Sequence, residues 1–207
     1  MLYGPALAQA SRAGHVPAVA LLLELGADPN FSGSRGLIFY TGSESGQRSS
    51  AAPLAPLTFA AEQAHWAVVN LLLEAGADPE QSEVLQFAAS WGELPLVRRL
   101  LSDGVDIQTQ GRFGNALTAL AHAPLGPRSD VEATAVFLIE QGIDPNVPYY
   151  GRRPINWALE RNDVELARLL EEHGASGGTT LTYKFRQLRR SLAGAAIVVA
   201  LLFGGSM

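Results

Sequence analysis

Four histidines and a recurring set of carboxylates are the side chains in this sequence best suited to chemistry. A metal held by one helix needs two histidines four residues apart beside a carboxylate, and His15, His65, His122 and His173 form no such pair. Paired carboxylates can act as general acid and base. Glu24, Glu74 and Glu140, however, recur inside copies of one repeated pattern, which is how a solvated helix face is written. Asp28, Asp78, Asp106 and Asp144 belong to turns in the same copies. The glycines also sit at turns, and they build neither a nucleophile elbow, a phosphate-binding loop nor a dinucleotide fingerprint. The absence of cysteine removes disulfides, zinc-thiolate sites and thiol nucleophiles together. These residues predict no catalytic, cofactor-binding or metal site, and hence a protein that is not an enzyme.

The totals narrow the setting. An apolar fraction of 47% is that of a folded chain. A protein without cysteine needs no oxidising compartment, and residues 1–5 show no basic stretch leading into an apolar one, so an intracellular, cytoplasmic location is expected. The net charge of −5 hides an asymmetry, because Lys184, Arg186, Arg189 and Arg190 all follow residue 180 and no acidic residue does. Residues 1–180 therefore hold eleven basic against twenty acidic groups, a balance of −9. Such a body repels phosphate and disfavours nucleic acid as a partner.

The elements that must position any site come from internal repetition. Residues 19–30, with Leu21, Leu22, Leu23, Glu24, Gly26, Ala27, Asp28 and Pro29, return as residues 69–80, with Leu71, Leu72, Leu73, Glu74, Gly76, Ala77, Asp78 and Pro79. Weaker copies end at Gly104, Gly142 and Gly174. In each copy apolar residues recur at spacings of three and four, which predicts one buried helical stripe. The glycine then closes the helix in the left-handed conformation, and Pro29, Pro79 and Pro145 stop it from continuing. A shorter helix precedes each of these, opening at Ala6, Pro56, Val84, Ala116 and Pro154. Proline suits that first turn, where its missing donor has no partner to lose.

The run from Pro56, Leu57 and Thr58 through Ala60 and Ala61 to Gly76, Ala77 and Asp78 resembles the ankyrin repeat, whose pattern carries Thr-Pro-Leu-His and later Gly-Ala-Asp. About five copies cover residues 4–178. The resemblance implies an all-α solenoid of stacked helix-turn-helix pairs joined by hairpin-like turns. It implies a protein-interaction module, an adaptor or scaffold, binding through hairpin tips and first helices. It also gives His15 and His65 a structural place between the paired helices. The His of the family pattern is replaced by Ala8, Thr58, Gln86, Thr118 and Asn156, which is expected to weaken hydrogen bonding between repeats.

Successive marker glycines lie 50, 28, 38 and 32 residues apart, against a period near ~33. The first gap hides a long insertion, residues 31–55, rich in glycine and serine, which reads as a loop. Its Leu37, Ile38, Phe39 and Tyr40 are either a short strand or an exposed apolar anchor. The second gap reads as a shortened turn, and the third as a stiff loop through Pro124 and Pro127. At the start, no polar repeat precedes Gly4 and Pro5. Leu2, Tyr3 and Leu7 are thus either partly exposed or covered by something else, and the chain is expected to be part of a longer protein.

For contact with a partner the richest tip holds Tyr149, Tyr150, Arg152 and Arg153, with Arg112 and Phe113 at the equivalent tip one repeat earlier. Tyrosine and arginine offer area and polar contacts at low ordering cost, although Tyr149 and Tyr150 could equally pack on neighbouring turns. Arg12, Glu62, Trp91 and Glu160 are placed facing the same groove, with Trp66 and Trp157 in the core between repeats. Nothing in these residues identifies the partner or the oligomeric state.

Residues 179–190 form a flexible, basic linker, and residues 191–207 an apolar tail helix without a single charge. As a helix the tail would extend about 25 Å, against about 30 Å of hydrocarbon. Leu192, Ile197, Val198, Val199, Leu201, Leu202 and Phe203 read as membrane contacts if it is an anchor, since it is apolar all round with basic residues before it. A helix docked on the solenoid or an unstructured end are the other readings. Two further classes are a membrane-tethered adaptor and the regulatory repeat region of a larger enzyme. Fractionation with carbonate or detergent separates the readings of the tail. An anchor sends the full chain to the membrane fraction and leaves a chain ending at Thr180 soluble, whereas two soluble chains exclude it.

Overall fold

The computed structural model describes residues 3–31, 55–80, 82–122 and 124–177. The run Leu37 to Tyr40, the linker at 179–190 and the tail residues Leu192, Ile197, Val198, Val199, Leu201, Leu202 and Phe203 lie outside the described residues. Among the described residues no helix is long and apolar enough to cross a membrane.

The described residues form ten helices in five pairs. The first helices are α1 (Gly4–Arg12), α3 (Pro56–Glu62), α5 (Val84–Trp91), α7 (Ala116–His122) and α9 (Pro154–Glu160). The second helices are α2 (Val16–Glu24), α4 (Trp66–Glu74), α6 (Leu94–Ser102), α8 (Arg128–Glu140) and α10 (Val164–Glu172). First helices pack on first helices, and α2 on α4, α6 on α8 and α8 on α10, so one apolar core runs through the stack. Ala60, Ala61, Ala88, Ala89, Ala119, Ala121 and Ala158 are fully buried along the first row, where only small side chains let the backbones approach. This all-helical architecture is consistent with the expected solenoid.

Each second helix ends the same way. Gly26, Gly76, Gly104, Gly142 and Gly174 all have φ between 82° and 93°, and the next residue donates back across the last turn, as from Ala77 N–H to the Leu72 carbonyl at 2.9 Å. Asp28, Asp78, Asp106 and Asp144 then each accept from the backbone two residues on, at 2.8–2.9 Å. Between paired helices the chain turns through a left-handed residue, namely Gly14, Ala64, Gly92 or Asn162. His65 crosses from one such loop to the previous one, its Nε2–H donating to the Arg12 carbonyl at 3.1 Å. His15 instead accepts from Ala18 N–H at 3.4 Å as a helix cap.

The replacements for the family histidine rebuild the bonds that their loss was expected to weaken. Thr58 donates to the Ser82 carbonyl at 3.0 Å, Gln86 to Thr109 at 2.9 Å and Asn156 to Gly177 at 2.7 Å. Each is a first-helix side chain reaching the turn that follows, so the donor is kept while its length changes. Thr118 turns instead to Asn115 Oδ1 at 2.9 Å, and Ala8 has no polar atom to use.

The irregular spacings have distinct consequences. In the shortened second gap, Glu83 adopts φ 54° and leads directly into α5. In the third, the loop folds back on the stack: the backbone N–H groups of Leu125 and Gly126 both donate to the Ser90 carbonyl, at 2.6 and 3.1 Å. A Cβ on Gly126 would collide with the Trp91 carbonyl, so only glycine fits. Leu7 is buried, contrary to the exposure considered for it. The apolar surface at the start of the stack belongs to α2 and Tyr3: Leu21 is 56% and Leu25 53% exposed, whereas Leu71, the counterpart of Leu21, is half-buried by its neighbours.

Asparagine side chains tie successive turns together. Asn30 donates to the Gly76 carbonyl at 2.9 Å and accepts from Asp78 N–H at 2.7 Å. Asn146 repeats this with Gly174 at 3.1 Å and Ser176 at 2.7 Å, and Gln108 supplies half of it to Gly142 at 3.1 Å. Glu80 occupies this position in the second copy, and a carboxylate has no proton to donate to the Gly104 carbonyl. Replacing Glu80→Asn should restore the missing link and raise stability by about 1 kcal/mol. Urea unfolding midpoints of the two chains measure it, and an unchanged or lower midpoint would show that the shortened turn holds this side chain away from its neighbour.

Candidate partner-binding surface

Two short hairpins project between the later repeats. In the first, Gly111 and Gly114 exchange backbone hydrogen bonds at 2.8 and 3.1 Å around Arg112 and Phe113. In the second, Tyr149 and Arg152 do the same at 2.8 and 3.1 Å around Tyr150 and Gly151. Tyr150 has φ 47° and Gly151 φ 72°, the pair of positive values that a two-residue hairpin turn of type I′ needs. Asparagine or glycine usually fills the first of these positions. A tyrosine there carries backbone strain of roughly 1–3 kcal/mol. Its side chain is 83% exposed, the most open large apolar group among the described residues.

The two tips are joined. Tyr149 is half-buried and its hydroxyl donates to the Arg112 carbonyl. Arg112 is in turn held by Glu83, which accepts from its backbone N–H and its Nε, both at 2.6 Å. Arg152 pairs with Glu160 at 2.6 Å, and Arg153 donates to the Ser176 carbonyl and hydroxyl at 3.0 and 2.6 Å. The Arg152 and Glu160 side chains are about half exposed, so that pair fixes orientation more than it stabilises the fold.

Beneath the tips lies a row of rings. Phe113 meets Phe87 edge-on at 6.5 Å and stacks on His122 at 5.7 Å. His122 stands at 88° to Trp157 with centroids 4.4 Å apart, Trp157 lies 6.5 Å from Tyr149, and Tyr149 packs against Tyr150 at 4.5 Å. Guanidinium groups cover parts of the row, Arg112 over Phe87 and Phe113 at 5.4 and 5.9 Å, and Arg152 over Trp157 at 4.9 Å. These are cation–π arrangements of planar, weakly hydrated cations on aromatic faces.

The structure thus brings Tyr149, Tyr150, Arg152 and Arg153 together on one hairpin and couples it to Arg112 and Phe113. Of the two tyrosines, Tyr149 packs on the neighbouring turn and Tyr150 does not. Trp91 stands apart from this surface: it ends α5 half-buried, with its backbone under Gly126 and its indole nitrogen inaccessible. The loop that covers it is the insertion in the third gap, which helix periodicity alone does not place. Trp157, expected inside the core, is half-buried and part of the ring row. Arg12 and Glu62 lie on α1 and α3, in the first two pairs and away from the tips, whereas Glu160 takes part through Arg152.

His122 is the one member of the row that titrates near neutrality. Burial holds its pKa below the usual histidine value, and the Arg161 guanidinium, donating to the His122 carbonyl at 3.1 Å, pushes it further down, with Glu160 opposing. Tyr149 is pushed up, mainly by burial and then by the neighbouring Tyr150. Among the described residues no group of three or more acidic or histidine side chains is placed to hold a metal ion.

The sequence pattern of the ankyrin repeat matches residues 5–34 and 54–83, and that of three ankyrin repeats in succession matches residues 85–180. No curated protein matches the chain.

The lowered pKa fixes a pH dependence. In the unfolded chain His122 binds a proton at about pH 6.5, and in the folded protein only at lower pH. Its contribution to stability is therefore complete above that range and is lost as pH falls from the unfolded towards the folded value. His122→Phe keeps a ring between Phe113 and Trp157 but cannot titrate. The stability difference between wild type and this variant should shift against wild type between pH 7.5 and pH 5, read from urea midpoints at about those two values. A difference that stays constant would remove His122 from the account.

Proposed function

The chain belongs to the ankyrin-repeat family, and on that premise we propose that it is an adaptor or scaffold binding a protein partner through the hairpins at 111–114 and 149–152 and the first helices α5, α7 and α9. Ankyrin repeats are generally protein–protein interaction modules. The observation that carries the reading is Tyr150, an aromatic side chain held 83% exposed on a backbone conformation that tyrosine rarely adopts. Strain of this kind persists where the surroundings enforce it, and here the backbone pairing of Tyr149 with Arg152 and the Tyr149 hydroxyl enforce it. Arg112, Arg152 and Arg153 frame it with cations already fixed by neighbours, so little order remains to be gained on binding.

The lack of cysteine supports an intracellular setting. A membrane-tethered form of the same adaptor is supported by one feature, the uncharged residues 191–207 behind a basic linker.

Two variants test the tip. Tyr150→Asn suits the left-handed position and should leave stability equal or raise it by up to about 1 kcal/mol, while removing the aromatic contact. Capture on the immobilised chain, read by mass spectrometry, should lose specific partners with this variant and with Tyr149, Tyr150, Arg152 and Arg153 all replaced by alanine. Identical partner sets for wild type and both variants would sink the tip as a binding site and favour a spacer.

A further inference from the structure

We propose that the partner segment received by α9 and its hairpin is an acidic, extended peptide, carrying two carboxylates three or four residues apart around an apolar residue. The inference rests on the adaptor reading above and specifies its ligand. Residues 1–180 are strongly acidic, at −9, yet this face runs the other way. Arg152, Arg153 and Arg161 lie at the two ends of α9, against Glu160 and the Asp163 that caps α10.

Their hydrogen bonds separate the three arginines. Arg152 is matched by Glu160 at 2.6 Å. Arg153 donates only to the Ser176 oxygens, and Arg161 only to the His122 carbonyl at 3.1 Å, so among the described residues neither has a carboxylate partner. Each of these bonds uses a single Nη1, and a guanidinium has five N–H donors in a fixed fork that matches a carboxylate. The two groups are thus oriented by neutral oxygens while their charge is left uncompensated.

The spacing sets the peptide. Arg153 precedes α9 and Arg161 follows it, eight residues later, which is about 12 Å along a helix. An extended chain covers that distance in three to four residues. Between the arginines stands the half-buried Trp157, and the Tyr149–Tyr150 pair on the hairpin before α9 extends this aromatic surface for an apolar or prolyl side chain. The chain's own remaining segments do not suit this site. Residues 178–207 carry four basic and no acidic groups, and residues 32–54 carry Arg35 and Arg48 against Glu44.

Selection of displayed random linear peptides of about a dozen residues on the full chain supplies the probe, since about four residues are to be read. The expected pool is enriched in Asp or Glu at a spacing of three or four with an apolar residue between. A synthetic peptide of the enriched sequence, followed by fluorescence anisotropy, should bind about tenfold or more weakly to Arg153→Ala/Arg161→Ala. It should weaken similarly when its acids become amides, lose affinity as salt is raised, and recover part of it with Arg153→Lys/Arg161→Lys. Circular dichroism melts of the variants confirm that they remain folded. A neutral or basic pool, no enrichment, or acidic peptides indifferent to the double alanine variant would overturn the proposal. Peptides indifferent to that variant but lost with Tyr150→Asn would overturn it while leaving the adaptor reading intact.

Discussion

A helix pair of this size has an apolar face on either side and cannot bury both by itself, so each pair in this chain is completed by the next. The buried alanines of the first row make the approach close enough for that to work. Ala60 and Ala61 on α3, Ala88 and Ala89 on α5, and Ala158 on α9 hold the helix backbones near one another and leave the larger Leu57, Leu85, Leu117 and Ile155 to fill the space between pairs. Fully burying such a side chain contributes about 1.5–3 kcal/mol. Burial between neighbours therefore outweighs any single polar contact in the stack. What the polar contacts decide is the position of the turns.

That division explains how a surface so dependent on position can be carried on short loops. The second hairpin is fixed through Tyr149 to the Arg112 carbonyl, through Arg153 to Ser176, and from below by the ring row from Phe87 to Trp157. Arg112 is fixed by Glu83, at the point where a shortened turn brings that carboxylate under the next hairpin. A loop held at several points loses little freedom when it binds, which favours affinity without enlarging the contact area.

The repeat pattern was readable because its signals are local. Gly26, Gly76, Gly104, Gly142 and Gly174 stop helices by backbone conformation, and Pro56 and Pro154 start them, whatever surrounds them. The two hairpin tips were also readable, since tyrosine and arginine beside glycine at a turn stand out in sequence. The ring row was not. Phe113 precedes α7 and His122 ends it while Trp157 lies on α9, so the row forms only because α7 and α9 stack, and helical periodicity cannot distinguish a tryptophan inside the core from one at its edge. The surroundings of Trp91 were hidden for a related reason, since the loop that lies over its backbone comes from the following pair. The replacements for the family histidine misled in the opposite direction, because a residue-type comparison counts a substitution as a loss while Thr58, Gln86 and Asn156 keep the donor.

In a stack whose members touch only their neighbours, stability is a sum of internal and junction terms, and the whole behaves as one unit only while every junction is strong. Glu80 makes the junction between the second and third pairs differ from the others: among the described residues no side-chain amide joins its turns, and α5 packs more extensively on α7 than on α3. Two pairs precede this junction and three follow it. Every residue of the tip surface, from Glu83 to Ser176, lies beyond it. A partner received at the proposed tips would touch only the last three pairs and reach the first two solely through this one junction.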